Sequence, residues 1–496
     1  MGFITPLVPF AERRIIIMKK MFITEPYLLT LKPSAEMNIV WIQREPAQGI
    51  VEYGFDSENL KYSIKADLFA LAGIRMPASE AGYTKVPEDN PQLPLWQCIA
   101  KVEGLQPGQK VYYRCKAGEH ITQVYHFHAA PEVGEPYRFA QLSDLQGSKG
   151  CDKAAWEIGC EKPDFLLYSG DCVHFAWYAS DWFDLEDPWQ DRDAARCSFF
   201  SCLQQQNGAE LMQYCPMFIC PGNHEMDDVR VGTVKEISSR DENWNWSIYM
   251  QLFRPLYEDT DTSITGRRWY SADYSDLHII SLSVQRYARW GAYEAPGWRV
   301  ADSIAPGSPQ IAWLQKNLQN TKAKFKWVIL HWHLLNKGDD VQTNLCQPEI
   351  DEEGKVTYPY DHGEYLLDLF EIGGVNAASY GHSHVYERYF AKGVHYIEAA
   401  NFTICYRGEN APLHPSGRLP IVEDNSRNSF LMIDRREGGL FATGYYIGTE
   451  NAADELRGYL PDSSIAGNHP TEDPRIFDRY QIADENGVSV NDVVEQ

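Results

Sequence analysis

The chain has 496 residues, too many for one hydrophobic core and enough for two or three domains. With 44% hydrophobic and 23% charged residues it has an ordinary globular composition, and its net charge of −24 argues against binding nucleic acid through the phosphate backbone. An anionic substrate would require a local inversion of that field, which bound metal cations supply.

Eleven cysteines are scattered without C-x-x-C pairs, which points to reduced thiols and not to a disulfide framework. No apolar run reaches the ~18 residues of a membrane span. The opening "MGFITPLVPFAERRIIIMKKMFITEPYLL" has two apolar pieces, separated by Glu12, Arg13 and Arg14. That interruption breaks the continuous core of a signal peptide, so residues 1–23 read as a leader without an export function and the expected location is cytoplasmic.

From residue 24 to residue 133 the pattern is one of short strands and turns. "MNIVWIQ", "GIVEYGF", "QCIAKVEGL", "KVYYRCKA" and "TQVYHFHAA" are rich in β-branched and aromatic residues, and "LQPGQK" makes a tight turn between two of them. This spacing predicts a β-sandwich. After the linker "APEVGEPY", residues 137–450 alternate short apolar runs with helical candidates, which predicts an α/β domain. In "SPQIAWLQKNLQNTK" the apolar residues fall at helical spacing behind the start signal Ser308-Pro309. "FLMIDRREGGLFATGYYI" reads as a hairpin turning at Gly438 and Gly439. Residues 451–496 are polar and weakly patterned, and an irregular extension is expected.

Five of the apolar runs in the α/β region end alike. "YRFAQLSD", "DFLLYSGD", "PMFICPGNHE", "FKWVILHWH" and "NAASYGHSH" each close on Asp, Asn or His, where α/β sheets collect ligands at the C-terminal ends of strands. They deliver Asp144, Asp171, Asn223, His224, His331, His382 and His384. His382 and His384 alone could be two buried histidines with hydrogen-bond partners; at i and i+2 of an extended segment they could equally aim at one metal. The whole set mixes oxygen and nitrogen donors, which suits Zn, Mn or Fe over softer metals. Its size allows two ions sharing one carboxylate, the usual device for phosphoryl displacement.

The ordered motifs resemble the metallophosphoesterase (calcineurin-like) superfamily, and "GHSHVYER" behind a β-sandwich resembles the purple acid phosphatase branch in particular. The resemblance covers roughly residues 25–450. It implies a fibronectin type III-like β-sandwich followed by a two-sheet α/β sandwich. It also implies a phosphatase that cleaves a phosphorylated small molecule with two metal ions (Fe, Mn or Zn), by attack of a metal-bound hydroxide. Carried over by position, Asp171 would bridge the metals. Asp144 and His384 would hold the first, and Asn223, His331 and His382 the second. His224 would serve catalysis as a donor to the phosphoryl oxygens or leaving group, with Asn223 and His333 beside it on the substrate.

Two positions depart from the pattern. The first motif commonly reads D-x-H, but Gln146 stands in the histidine's place; purple acid phosphatases compensate with a tyrosine three residues after the bridging aspartate, where this chain has His174. The expectation is that His174 replaces the tyrosine as a ligand to the first metal, with Gln146 or water as the alternative. Without a tyrosinate the site should not be purple, and a divalent first metal with a higher pH optimum follows. His126 and His128, in "VYHFHAA", repeat the spacing inside a sandwich strand and are read as structural. Glu225 and Glu387 are expected behind the ligands, and Cys172 as a small core filler. Monoesters are favoured over diesters, with substrate choice assigned to the loops at 175–214, 226–268 and 334–361. The competing class is a non-catalytic binding protein with a degraded first site.

Overall fold

A computed structural model describes residues 21–74, 93–147, 151–174, 176, 179–184, 198–204, 210–225, 247–257, 268–284, 304–335, 349–350, 356–357, 362–398, 418–424, 428–447 and 475–491. Residues 1–20 of the leader read at 1–23, and most of the three loops assigned to substrate choice, lie outside them.

The N-terminal region is built from two antiparallel sheets. One orders the strands Tyr27–Leu29, Glu36–Gln43, Trp96–Glu103 and Asp67–Ala70; the other centres on Gly49–Gly54 and Lys110–Ala117. Alternating residues of both, among them Ile39, Trp41, Val51, Val111, Tyr113 and Phe127, close a common core. This core is seated on the rest of the molecule by polar contacts. The Tyr27 hydroxyl and the Gln97 amide both donate to the Leu252 carbonyl, at 2.8 and 3.0 Å, and the Tyr113 hydroxyl donates to that of Gln213 at 2.8 Å.

Beyond residue 136 two further sheets face each other. The first has six strands in the order Met217–Ile219, Phe165–Tyr168, Tyr137–Leu142, Ser429–Arg436, Gly439–Tyr446, Ile476–Asp484, the first three parallel. The second has seven, with Leu277–Ser281, Phe325–Ile329, Ala377–Tyr380 and Val394–Glu398 parallel in that order. Phe139, Leu166 and Phe218 from one sheet pack against Ile279, Trp327 and Ile397 from the other. These strands are buried on both faces, which is why their sequences are continuous apolar runs. Helix Pro309–Asn320 covers the outer face of the seven-stranded sheet. The Ser308 side chain accepts from the Ile311 N–H to start it, and Ile311, Leu314 and Leu318 face inward. The predicted hairpin is present, with Gly438 and Gly439 at φ of 92° and 133°.

The irregular C-terminal extension expected for 451–496 is corrected in part. Ile476–Asp484 is a nine-residue strand that extends the six-stranded sheet by pairing with Gly439–Tyr446. Its polar appearance misled because its inward polar residue has a partner far away in sequence. Asp478 accepts from Arg388 Nε at 2.8 Å and from the Tyr386 hydroxyl at 2.8 Å, and the Arg388 guanidinium lies over the Tyr480 ring. His126 and His128 sit on strand Tyr125–His128 among Tyr112, Tyr214 and each other. Burial, then Lys110, lower the pKa of His126 to about 4, so the ring is a neutral packing element. The eight described cysteines are free thiols, Cys172 among them in the core. Among the described residues no helix is long and apolar enough to cross a membrane.

Candidate metal centre

The two sheets supply different chemistry to one seam. The C-terminal ends of three parallel strands in the six-stranded sheet carry the oxygen donors Asp144, Asp171 and Asn223. Strands Phe325–Ile329 and Ala377–Tyr380 of the seven-stranded sheet carry the imidazoles of His331, His382 and His384. The seam is pinned from both sides: Ser169 Oγ donates to the Ser379 carbonyl at 3.2 Å, and the Tyr270 hydroxyl donates to that of Ile219 at 3.0 Å.

Local backbone geometry is unusual where the donors emerge. Of eight non-glycine residues with positive φ among those described, five are here: Asp144 (57°), Gln146 (45°), Asp171 (56°), His382 (82°) and His384 (58°). Each such conformation costs on the order of 1–3 kcal/mol and persists only where surrounding contacts enforce it. Those contacts are visible. Buried Glu225 accepts from the backbone N–H of Gly222 (2.6 Å), Asp171 (2.8 Å) and Cys172 (2.7 Å), tying the second and third motifs together. Buried Glu398 accepts from both the N–H (2.9 Å) and the hydroxyl (2.6 Å) of Ser383, the residue between the two histidines. A Cβ on Gly381 would lie 2.2 Å from Asp144 Oδ2, so the turn before His382 closes only on glycine.

One half of the site converges tightly. His331 Nδ1 lies 2.7 Å from the Ser169 carbonyl, which accepts only, so this nitrogen carries the hydrogen. The opposite nitrogen, Nε2, faces Asn223 Oδ1 at 3.0 Å and Asp171 Oδ2 at 3.2 Å. His382 Nδ1 is 2.9 Å from the same Asn223 oxygen. Trp332 Nε1 donates to that oxygen at 3.1 Å, and its ring stacks on His382 with centroids 4.8 Å apart. One donor atom from each of Asp171, His331 and His382 falls within 4.8 Å of the others. Two ligands at right angles on a metal with bonds of about 2.0–2.2 Å lie about 3 Å apart, which is the spacing found here.

The electrostatics carry the same message. Burial works against a charge on His331, yet Asp171 lifts its pKa to about 10. Burial opposes ionisation of Asp171 as well, but His331 and then His224 hold it well below the usual carboxylate range. Burial, then the positive His331, push His382 down to about 3. Asp171 favours a positive charge beside it, and without a metal a proton on His331 provides it.

The other half is looser. His384 Nε2 stands 3.4 Å from Asp144 Oδ1, while that carboxylate also accepts from the Ser143 hydroxyl (2.5 Å) and the His382 N–H (3.1 Å). Gln146 Nε2 donates to Asp171 Oδ2 at 2.7 Å. The His174 ring lies against the His224 ring, centroids 5.0 Å apart, and its carbonyl takes the hydrogen of His224 Nδ1 at 2.9 Å. The His224 N–H itself donates to Asp171 Oδ1 at 2.9 Å. His333 is buried next to the cluster, 5.6 Å from the His382 ring centroid.

Residues 137–386 match the model of the calcineurin-like phosphoesterase family, and residues 25–129 match that of the purple acid phosphatase N-terminal domain. The chain belongs to the calcineurin-like phosphoesterase family. Family membership implies a dinuclear metal centre, and the mixed donor set at the seam fits one. The chain is 24% identical over 321 residues to acid phosphatase type 7 of Danio rerio, covering 62% of this chain and 61% of that one. The human acid phosphatase type 7 is also 24% identical, with 62% and 60% covered. The chain thus spans under two thirds of the length of these curated relatives. Among solved structures it is similar in fold to the purple acid phosphatase PPD1 of yellow lupin (Lupinus luteus) seeds. That match has a TM-score of 0.55 at 16% identity, covering 85% of this chain and 71% of the lupin protein. PhoD gives a TM-score of 0.57 at 12% identity, with 87% of each chain covered.

Placed in this phosphoesterase fold, the sequence motifs converge on one seam, His224 and His333 included. Two contributors were not singled out from sequence. Trp332 looks like an apolar residue of its strand, and Glu398 lies on a strand with no motif of its own. The signal available for Glu398 was a carboxylate closing the apolar run "VHYIE", the same punctuation that marks the other strand ends.

Proposed function

We propose that this phosphoesterase is a dinuclear-metal phosphohydrolase, with phosphate monoesters as its substrate class. The observation that carries the reading is the cluster of Asp171 Oδ2, Asn223 Oδ1, His331 Nε2 and His382 Nδ1, spaced 2.9–3.2 Å along its contacts. With the hydrogen of His331 fixed on Nδ1, three of the facing atoms are acceptors, an arrangement that calls for a cation. Asp171 would be shared, Asn223, His331 and His382 would hold one metal, and Asp144 and His384 the other. His174 is the proposed further ligand there, with Gln146 as its competitor. The donor set suits Fe, Mn or Zn, and with His174 where purple enzymes have tyrosine the site should not be purple. When bound, the metals supply a cationic cradle for the phosphoryl oxygens and acidify water.

The chain's own groups do the rest. The Ser169 carbonyl and the Trp332 indole orient His331 and Asn223, and Glu225 and Glu398 hold the loops that carry the donors. His224 keeps one hydrogen on Nδ1 for the His174 carbonyl, so it donates to a phosphoryl oxygen or leaving group through Nε2 only as the imidazolium. The monoester preference is supported by the acid phosphatase relatives.

The test pairs metal content per chain with turnover of a nitrophenyl monoester and its bis-ester. Two equivalents with faster monoester turnover support the proposal; faster bis-ester turnover makes it a diesterase. One equivalent or fewer with no turnover supports the binding-protein reading, which the hydrogen bond between Gln146 and Asp171 favours.

A further inference from the structure

A carboxamide has two ends of nearly the same shape and opposite chemistry. Only the oxygen of Asn223 can ligate a metal; its NH₂ end would repel one. What turns the oxygen inward is therefore part of the site.

Three groups contact Asn223 Oδ1: His331 Nε2 at 3.0 Å, His382 Nδ1 at 2.9 Å and Trp332 Nε1 at 3.1 Å. The two imidazole nitrogens do not decide its orientation, because a ring nitrogen donates or accepts according to its tautomer. His331 is no fixed anchor: its Nδ1 gives its hydrogen to the Ser169 carbonyl, so Nε2 donates to Oδ1 only while the ring is an imidazolium, and in the neutral ring it is an acceptor that favours the amide's NH₂ end. An indole N–H is a donor in every state. Trp332 is also nearly fully buried, at 4% exposure, and its ring is held on the face of His382 with planes 25° apart, so the N–H does not swing away.

We infer that Trp332 is a positioning residue that sets the orientation of the Asn223 amide, presenting Oδ1 to the second metal before the metal arrives. The inference rests on the metal-centre reading above and adds to it a specific job for one residue outside the ligand set. Outer partners of this kind typically change metal affinity by about 10–100-fold.

The experiment is a double-mutant cycle on the full chain, read as the affinity for the tighter equivalent of Zn²⁺ or Mn²⁺, the one assigned to the Asn223 half, by calorimetric titration of metal-free protein. Trp332→Phe keeps the ring stack on His382 and removes the N–H. It is made in the wild-type background and in the Asn223→Asp background. A carboxylate has two equivalent oxygens and needs no orienting. The expected result is a loss of about tenfold or more from Trp332→Phe beside the wild-type amide, and less than about twofold beside the carboxylate of the Asn223→Asp variant. Equal losses in both backgrounds would overturn the inference and leave Trp332 a packing residue. No loss beside the wild-type amide would overturn it as well. To separate the N–H from ring size, an isosteric benzothienylalanine at position 332 replaces the nitrogen with sulfur; it should reproduce the loss with wild-type thermal stability. A wild-type chain that takes up no metal would instead sink the metal-centre reading itself, and the inference with it.

Discussion

The two halves of the metal centre are built to different standards. Around Asn223, His331 and His382 each donor atom is within 3.2 Å of another donor; the Ser169 carbonyl and the Trp332 indole N–H, both of fixed polarity, orient His331 and Asn223, and the Trp332 ring stacks on His382. Around Asp144 and His384 the donor atoms stand 3.4 Å apart. There the residue in the family's histidine position, Gln146, gives its amide hydrogen to the shared carboxylate. The difference teaches that the Asn223 half is preorganised for a cation while the Asp144 half depends more on its loop. Metal loading should therefore be sequential, the Asn223 side filling first.

The largest effect should come from the one residue common to both halves. Asp171→Asn keeps the shape but removes the charge that His331 and His224 share. It should drop bound metal below one equivalent and turnover by a factor of about 10³ or more. Elemental analysis together with nitrophenyl phosphate turnover checks it, and retention of two equivalents would remove Asp171 from the bridge. Next come substitutions that act on one half. Asn223→Ala should cost the tighter equivalent. Gln146→His, which restores an imidazole to the first motif, should strengthen the weaker one by about tenfold. If Gln146→His leaves the weaker affinity unchanged while His174→Ala abolishes it, His174 is the ligand that completes that half.

Much of this was legible in the sequence because strand ends announce themselves. An apolar run that stops on Asp, Asn or His predicts both a buried parallel strand and a donor at its tip, so Asp144, Asp171, Asn223, His331, His382 and His384 could be set out before any coordinates. The residues that hold those donors in place were harder to see. Trp332 sits in an apolar strand, where nothing in the residue type says that its N–H rather than its ring matters. Glu398 reaches Ser383 across 15 residues, and Arg388 finds its partner Asp478 on a strand 90 residues on. Such contacts depend on register between strands, which local patterning does not encode. That is also why the polar strand Ile476–Asp484 looked irregular.

Glu398 offers a smaller and more selective perturbation. Its carboxylate grips Ser383 between two residues at φ of 82° and 58°, and Glu398→Gln replaces a charge-assisted contact with a neutral one. His382 retains its contacts to Asn223 and Trp332, whereas His384 depends on the loop. The weaker equivalent should lose about tenfold in affinity and the tighter one much less. Equal losses at both would mean that the two halves lean on the loop alike, and the asymmetry argued above would fall.

The smallest effect is in the metal-free protein and has a defined sign. His331 is raised from its ordinary 6.5 to about 10 because it lies against Asp171, despite its burial. A pKa raised by folding contributes stability that is fully present below pH 6.5 and is lost as the pH climbs through 10. With metal bound, Nε2 is occupied and this proton is absent, so the loaded protein should not share the loss. Chelator-treated protein should therefore fall relative to loaded protein between pH 6.5 and 10, by about 1 °C in Tm for each ~1 kcal/mol lost in a chain of this size. The same proton competes with the metal, so affinity for the tighter equivalent should rise with pH over that window. Parallel melting curves for the two forms would mean that His331 is neutral in the metal-free protein. The Asn223 half would then meet its cation with no proton to displace, and the preorganisation would be that of an open, uncharged site.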